Sequence, residues 1–167
     1  MAAALFAEQA ARLAGRPSVA SAGLGDAGLP VPDAVVEVML RRGVDLTAHR
    51  STTLTPSMVA GADLVVGMGL RHVQEAVLME PVAWARTFRL KEIVRRGEFV
   101  GPRLPGQDPV AWIRAAQGDR DRTALAHLSP EEDVADPYGG PYAGYEATAA
   151  ELDDLTARLA ALLWPGY

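Results

Sequence analysis

The 167 residues contain no cysteine. That excludes a disulfide framework and any thiolate metal site. Histidine is nearly as scarce: His49, His72 and His127 stand far apart, so no histidine zinc site is expected. We read His72 as a surface residue on a helix and His127 as one in a loop. No apolar run approaches the length that spans a bilayer, so no membrane span is expected. Basic charge is also short. Lys and Arg number 16 against 21 Asp and Glu, giving a net charge of −5, which argues against a nucleic-acid partner. The alanine-rich segment 1–15 has no basic start and is interrupted by Glu8 and Gln9, so it does not read as a signal peptide. A cytoplasmic protein is the default expectation. What remains is 49% hydrophobic and 22% charged, an ordinary globular composition for one domain over 1–167.

The pattern along the chain alternates helices with short apolar strands. Ala2 to Ala14 reads as a helix with Leu5, Phe6 and Leu13 on one side. Val19 to Ala22 is a strand candidate, followed by a Gly- and Pro-rich loop to Pro32. Asp33 opens a helix as a capping carboxylate, Arg41 and Arg42 suit its negative end, and Gly43 stops it. Thr55-Pro56 starts a short helix with proline at the first helical position. Within Asp63 to Met68 the run Leu64-Val65-Val66 suits a strand buried on both faces. Leu70 to Met79 reads as helix, Thr87 to Leu90 as strand, and Lys91 to Arg96 as a helical turn ended by Gly97. From Phe99 to Pro130 the Gly and Pro content suggests a loop, although Val110 to Ile113 also suit a helix of their own. Tyr142 to Leu163 carries an apolar stripe that includes Tyr142, Tyr145, Leu152, Leu155 and Leu159. The fold class is therefore α/β, a three-layer arrangement in which a short parallel sheet is flanked by helices. Ligands in such sheets bind beyond the carboxyl ends of the strands.

Several segments, in this order, carry a resemblance: Ala3-Ala4-Leu5-Phe6, Ser21-Ala22-Gly23, Pro32-Asp33 leading to Arg41 through Leu46, His49-Arg50-Ser51, Ala62 through Met68, and Asp136-Pro137-Tyr138-Gly139. Together they resemble the bacterial low-molecular-weight protein tyrosine phosphatases. The resemblance covers most of the chain, with a variable insertion around 99–132. Members of that family begin with a strand and a phosphate-binding loop of pattern Cys, five residues, Arg, then Ser-Pro. Met1 to Phe6 resembles the segment just after Ser-Pro. The resemblance thus implies a fold whose first strand, loop cysteine and loop arginine are missing here. An open sheet edge is a template for pairing, so the expectation is one of three: a chain that continues upstream, a sheet closed by pairing Val19–Ala22 with Leu64–Met68, or a homo-oligomer formed through the open edge.

The same resemblance implies roles for particular residues. Asp136 is the general acid that protonates the departing phenolate, although Asp-Pro-Tyr-Gly-Gly is also what an ordinary turn looks like. Tyr138 either flanks an aromatic substrate or covers the last helix. His49 and Ser21 support the phosphate loop from behind, or are simply loop residues. Tyr142 and Tyr145 fall on the apolar stripe and are read as core. Arg89, Lys91, Arg95 and Arg96 are read as a solvated helix face rather than an anion site. Phosphoryl transfer through this family's chemistry needs a thiolate, and the chain has none, so it is expected to be inactive as written. Its partner would be a phosphotyrosine protein or a small aryl phosphate, with no cofactor. The alternative is a non-catalytic pseudophosphatase acting as a binding or regulatory module. Arsenate reduction, which the fold supports elsewhere, needs redox cysteines and is set aside.

Overall fold

The structure, a computed structural model, describes residues 1–11, 17–126 and 129–165. Helix α1 (Ala2–Ala10) forms from a run of strong helix formers, with Leu5 and Ala10 turned into the core. The expected continuation to Ala14 falls partly outside the described residues. Helix α2 (Asp33–Leu40) buries Val35, Val38 and Met39. Asp33 does not cap it. Pro32 takes the N-cap position, so Asp33 sits in the first turn, where its charge meets the positive end of the helix dipole without a capping bond. At the other end Gly43 adopts φ 76°, which lets Val44 N–H reach back to Met39 O at 3.0 Å. Helix α3 (Pro56–Gly61) starts as expected, with Thr55 Oγ1 accepting the Met58 N–H.

The sheet comprises two parallel strands, β1 (Val65–Gly67) and β2 (Thr87–Arg89), in the register Val65 with Thr87, Val66 with Phe88 and Gly67 with Arg89. Helix α4 (Leu70–Met79) and the 3₁₀ turn Pro81–Arg86 make the crossover. Adjacent strand residues point to opposite faces. Val65 packs on a small cluster of Val59, Ala76 and Ala83, and Val66 on the large core built around Phe88. The sheet is therefore a middle layer between two apolar layers. β2 is wholly buried, whereas Val65 and Val66 are only half-buried, short of the burial on both faces that the sequence suggests. Among the described residues β1 pairs only with β2. Val19 to Ala22 forms no strand, and the nearest pairing is an isolated bridge between Gly23 and Thr53. The pairing of Val19–Ala22 with Leu64–Met68 is therefore not formed among the described residues.

The expected helical turn at Lys91 to Arg96 proves to be a longer helix, α5 (Leu90–Val100), that runs straight through Gly97. Gly97 is not punctuation. A Cβ there would lie 2.7 Å from Trp112 Cη2 and 2.9 Å from Leu162 Cδ1, so glycine permits close packing of three helices. The helix ends instead at Gly101, φ 89°. Between Phe99 and Pro130 the helix suggested at Val110 to Ile113 is present, with irregular backbone at 101–108 and 118–121. Asp108 caps helix α6 (Pro109–Gln117), which buries Trp112, Ile113 and Ala116, and two short 3₁₀ turns follow at Arg122–Ala126 and Pro130–Glu132. Helix α7 (Tyr142–Leu163) closes the core with Tyr145, Leu152, Leu155, Leu159 and Leu163.

Candidate active site

Met68 and Gly69 link the end of β1 to the start of α4, and the segment 132–140 is fastened there. Val134 N–H donates to Met68 O at 2.8 Å. Asp133 Oδ1 accepts the Leu70 N–H at 2.9 Å, satisfying a free donor at the start of α4. Asp136 thus lies two residues beyond a contact at the carboxyl end of a parallel strand, where ligands bind in such sheets. On its other side the loop is held to α7. Thr148 Oγ1 donates to Ala135 O at 3.2 Å, and the Tyr145 hydroxyl accepts the Gly139 N–H at 3.1 Å.

Asp136 itself is exposed. Its Oδ1 accepts the Tyr138 N–H at 3.0 Å, and Gly140 N–H closes on Pro137 O at 2.9 Å. The Asp-Pro-Tyr-Gly-Gly run is therefore a turn in shape, and that turn presents a carboxylate to solvent. Tyr138 is 77% exposed and does not cover α7. Tyr145 is buried, as expected of the stripe, and adds the hydroxyl contact that the sequence did not reveal.

Ser21 and His49 are both exposed and come together on the wall of an open cavity of about 660 Å³, with Met1, Ala4, Val31 and Ser51. Asp136 and Tyr138 do not line it. The four candidate residues thus fall in two groups. His72 is exposed on α4, and its Nδ1 accepts the Gly69 N–H at 3.2 Å. His127 lies outside the described residues.

Within the basic cluster Arg95 is solvated as expected, and Arg89 is the departure. Arg89 is no solvated residue: its side chain is 3% exposed, and it donates to Glu132 Oε2 at 2.7 Å, Ser129 O at 2.6 Å and Asp133 Oδ1 at 3.2 Å. Lys91 pairs with Glu151 at 2.7 Å, and Arg95 with Glu132 at 2.7 Å. Arg96 donates to Ala116 O and Gln117 O. Each cation is already committed to protein acceptors. Sequence reasoning missed Arg89, Asp133 and Thr148 as supports of the loop. The one signal for them was the acidic run Glu131-Glu132-Asp133 just ahead of Asp136, a natural complement for a buried cation.

Among the described residues no three His, Asp or Glu side chains are grouped to hold a metal. No helix among them is long and apolar enough to cross a membrane.

Residues 1–100 match the family model of the low molecular weight phosphotyrosine protein phosphatases. The chain belongs to that family. Within it, a probable low molecular weight protein-tyrosine-phosphatase, EpsP, of Ralstonia nicotianae is 40% identical over 77 residues, which cover 46% of this chain and 53% of the relative. The match spans about half the length of this curated relative, and the same holds for its counterpart in Ralstonia solanacearum. Among solved phosphatases, the YwlE arginine phosphatase of Geobacillus stearothermophilus superposes with a TM-score of 0.67 at 29% identity, over 95% of this chain and 80% of the other. The low molecular weight protein tyrosine phosphatase of T. tengcongensis gives the same TM-score and identity, over 95% of this chain and 86% of the other. Vibrio vulnificus Wzb, in complex with benzylphosphonate, shares the fold at 18% identity and a TM-score of 0.66.

Proposed function

We propose that this chain supplies the leaving-group half of a phosphotyrosine phosphatase site and, as these 167 residues stand, hydrolyses no phosphate ester. The observation that carries the reading is the turn at Asp136, exposed at the carboxyl end of β1 in a chain without cysteine. Asp136 donates the proton to the departing phenolate, and Tyr138 flanks the aromatic ring. His49 and Ser21, which share one cavity wall, would support a phosphate-binding loop when one precedes these residues. Catalysis would also need a thiolate attacking in line, and backbone N–H groups with a guanidinium around the phosphoryl oxygens. A phosphotyrosine protein or small aryl phosphate is the favoured substrate. A phosphoarginine protein belongs beside it, because a solved relative at 29% identity is an arginine phosphatase. The cysteine-free composition supports a second reading, a pseudophosphatase that docks a partner protein. A cytoplasmic location rests on composition alone.

The test is a p-nitrophenyl phosphate assay on two forms. One is this polypeptide. The other, the loop-bearing version, has the same residues preceded by a strand and a loop of pattern Cys, five residues, Arg, Ser-Pro. The short form is expected to give no turnover and the loop-bearing version measurable turnover. Activity in the short form would overturn the reading of inactivity. If the loop-bearing version stays silent while a stable protein partner is found, the pseudophosphatase stands.

The half-buried edge of β1 supports a further expectation, association of two copies through that strand. Unpaired buried backbone groups cost about 1–3 kcal/mol each, a cost that pairing removes. Light scattering should report a dimer or larger species. A monomer with a cooperative melt counts against it.

A further inference from the structure

We infer that Arg89 and Asp133 form a clasp that positions the Asp136 loop, an inference that rests on the acid role proposed for Asp136. The guanidinium of Arg89 stands at the end of β2. All three of its acceptors, Ser129 O, Glu132 Oε2 and Asp133 Oδ1, lie just ahead of Asp136. Asp133 Oδ1 also takes the Leu70 N–H, so one carboxylate joins β2 to the start of α4. The next residue, Val134, joins the chain to the end of β1 through Met68 O. Three consecutive residues, 132 to 134, are thus tied to three different elements. Only Ala135 separates them from Asp136. Consecutive Cα atoms are about 3.8 Å apart, so little slack lies between anchor and carboxylate.

The clasp has a built geometry. A Cβ on Gly69 would fall 2.9 Å from Asp133 Oδ2, so the carboxylate can approach the α4 terminus because residue 69 is glycine. Arginine's planar fork holds five donors in fixed, widely set directions, which the compact ammonium of a lysine does not reproduce. Burying a guanidinium is costly, and buried ion pairs are poor stabilisers compared with apolar packing. Orientation of the neighbouring loop accounts for this pair better than stability does. Glu132 takes Arg95 as well, from the exposed side, and completes the network.

Amide hydrogen exchange on the full chain tests this without catalysis. Asp133→Asn keeps an acceptor for Leu70 but removes the charge that faces Arg89. Exchange of the Val134, Tyr138 and Gly139 amides should rise about tenfold or more, the scale of one lost charge-assisted bond. Amides in α7 and β2 should keep their rates. Arg89→Gln should act likewise, with Arg89→Lys intermediate. A uniform rise across the molecule, or no change in the loop, would overturn the proposal. In the loop-bearing version Asp133→Asn should lower kcat more for phenyl phosphate than for p-nitrophenyl phosphate, with KM unchanged. Equal losses for the two esters would also overturn it. If Asp136→Asn itself shows no leaving-group dependence, the acid role fails, and the exchange rates alone then decide whether the clasp orders the loop.

Discussion

Asp136→Asn, introduced into the loop-bearing version, is expected to lower kcat for phenyl phosphate about 10²- to 10⁴-fold, the usual contribution of a positioned acid. The loss should be smaller for p-nitrophenyl phosphate, because nitrophenolate is stable enough to depart without a proton. KM should change little, since the proton is delivered during bond breaking and not during binding. Asparagine is the informative replacement. It keeps the oxygen that accepts the Tyr138 N–H, so the turn survives. The melting temperature should therefore stay where it was, as suits an exposed side chain. Steady-state kinetics with the two esters provide the check. Equal, small losses for both would remove Asp136 from the chemistry and leave it as a turn residue.

Arg120→Ala should destabilise the protein by about 3–5 kcal/mol, a large share of the roughly 5–15 kcal/mol that holds a typical domain folded. The Arg120 side chain is 2% exposed. Its guanidinium lies between two aromatic rings, 3.9 Å from the centroid of Trp84 and 4.0 Å from that of Phe88. Nε donates to Glu92 Oε1 at 2.6 Å, and Nη2 to Thr87 O at 2.8 Å. Burial pushes the guanidinium's pKa down, and the Glu92 carboxylate opposes that shift. Alanine would leave the Glu92 carboxylate buried beside a cavity, with Arg96 at 3.5 Å as its remaining cation. Denaturant titration measures the loss. Replacing both partners by apolar residues, Arg120→Met with Glu92→Leu, should recover much of it, because the penalty comes from the stranded charge and not from absent attraction. A single variant as stable as the parent would show that water reaches Glu92.

Elements with strong periodicity are legible in the sequence alone. α4 and α7 match their expected spans, and β1 and β2 fall within theirs. Their sequences commit each residue to one face. Gly97 misleads because glycine reads as a stop when it is seen without its neighbours. The residue that needs it, Trp112, lies on another helix. Arg89 misleads for a similar reason. In sequence it belongs to a basic run, but its acceptors are some forty residues ahead, and burial arises only when those segments meet. Val19 to Ala22 has strand composition and no strand, because β structure is a property of pairs. At the candidate site, the motif in the sequence is enough to propose Asp136 and Tyr138. The supports at Asp133, Thr148 and Arg89 are not legible there, since each acts through a contact made across the fold.

The packing of α1 on α7 has a consequence in time. The Phe6 and Trp164 rings lie 6.2 Å apart, and the Gln9 side-chain amide reaches Asp153. During synthesis the first helix leaves the ribosome long before the helix that shelters it exists. Nascent chains emerge at about 5–20 residues per second, so Leu5 and Phe6 wait on the order of ten seconds for α7. In that interval their apolar side chains, and the half-covered edge of β1, are open to chaperones or to another nascent chain. Slower translation through 100–160 should therefore lengthen that exposure and lower the yield of folded protein in the cell.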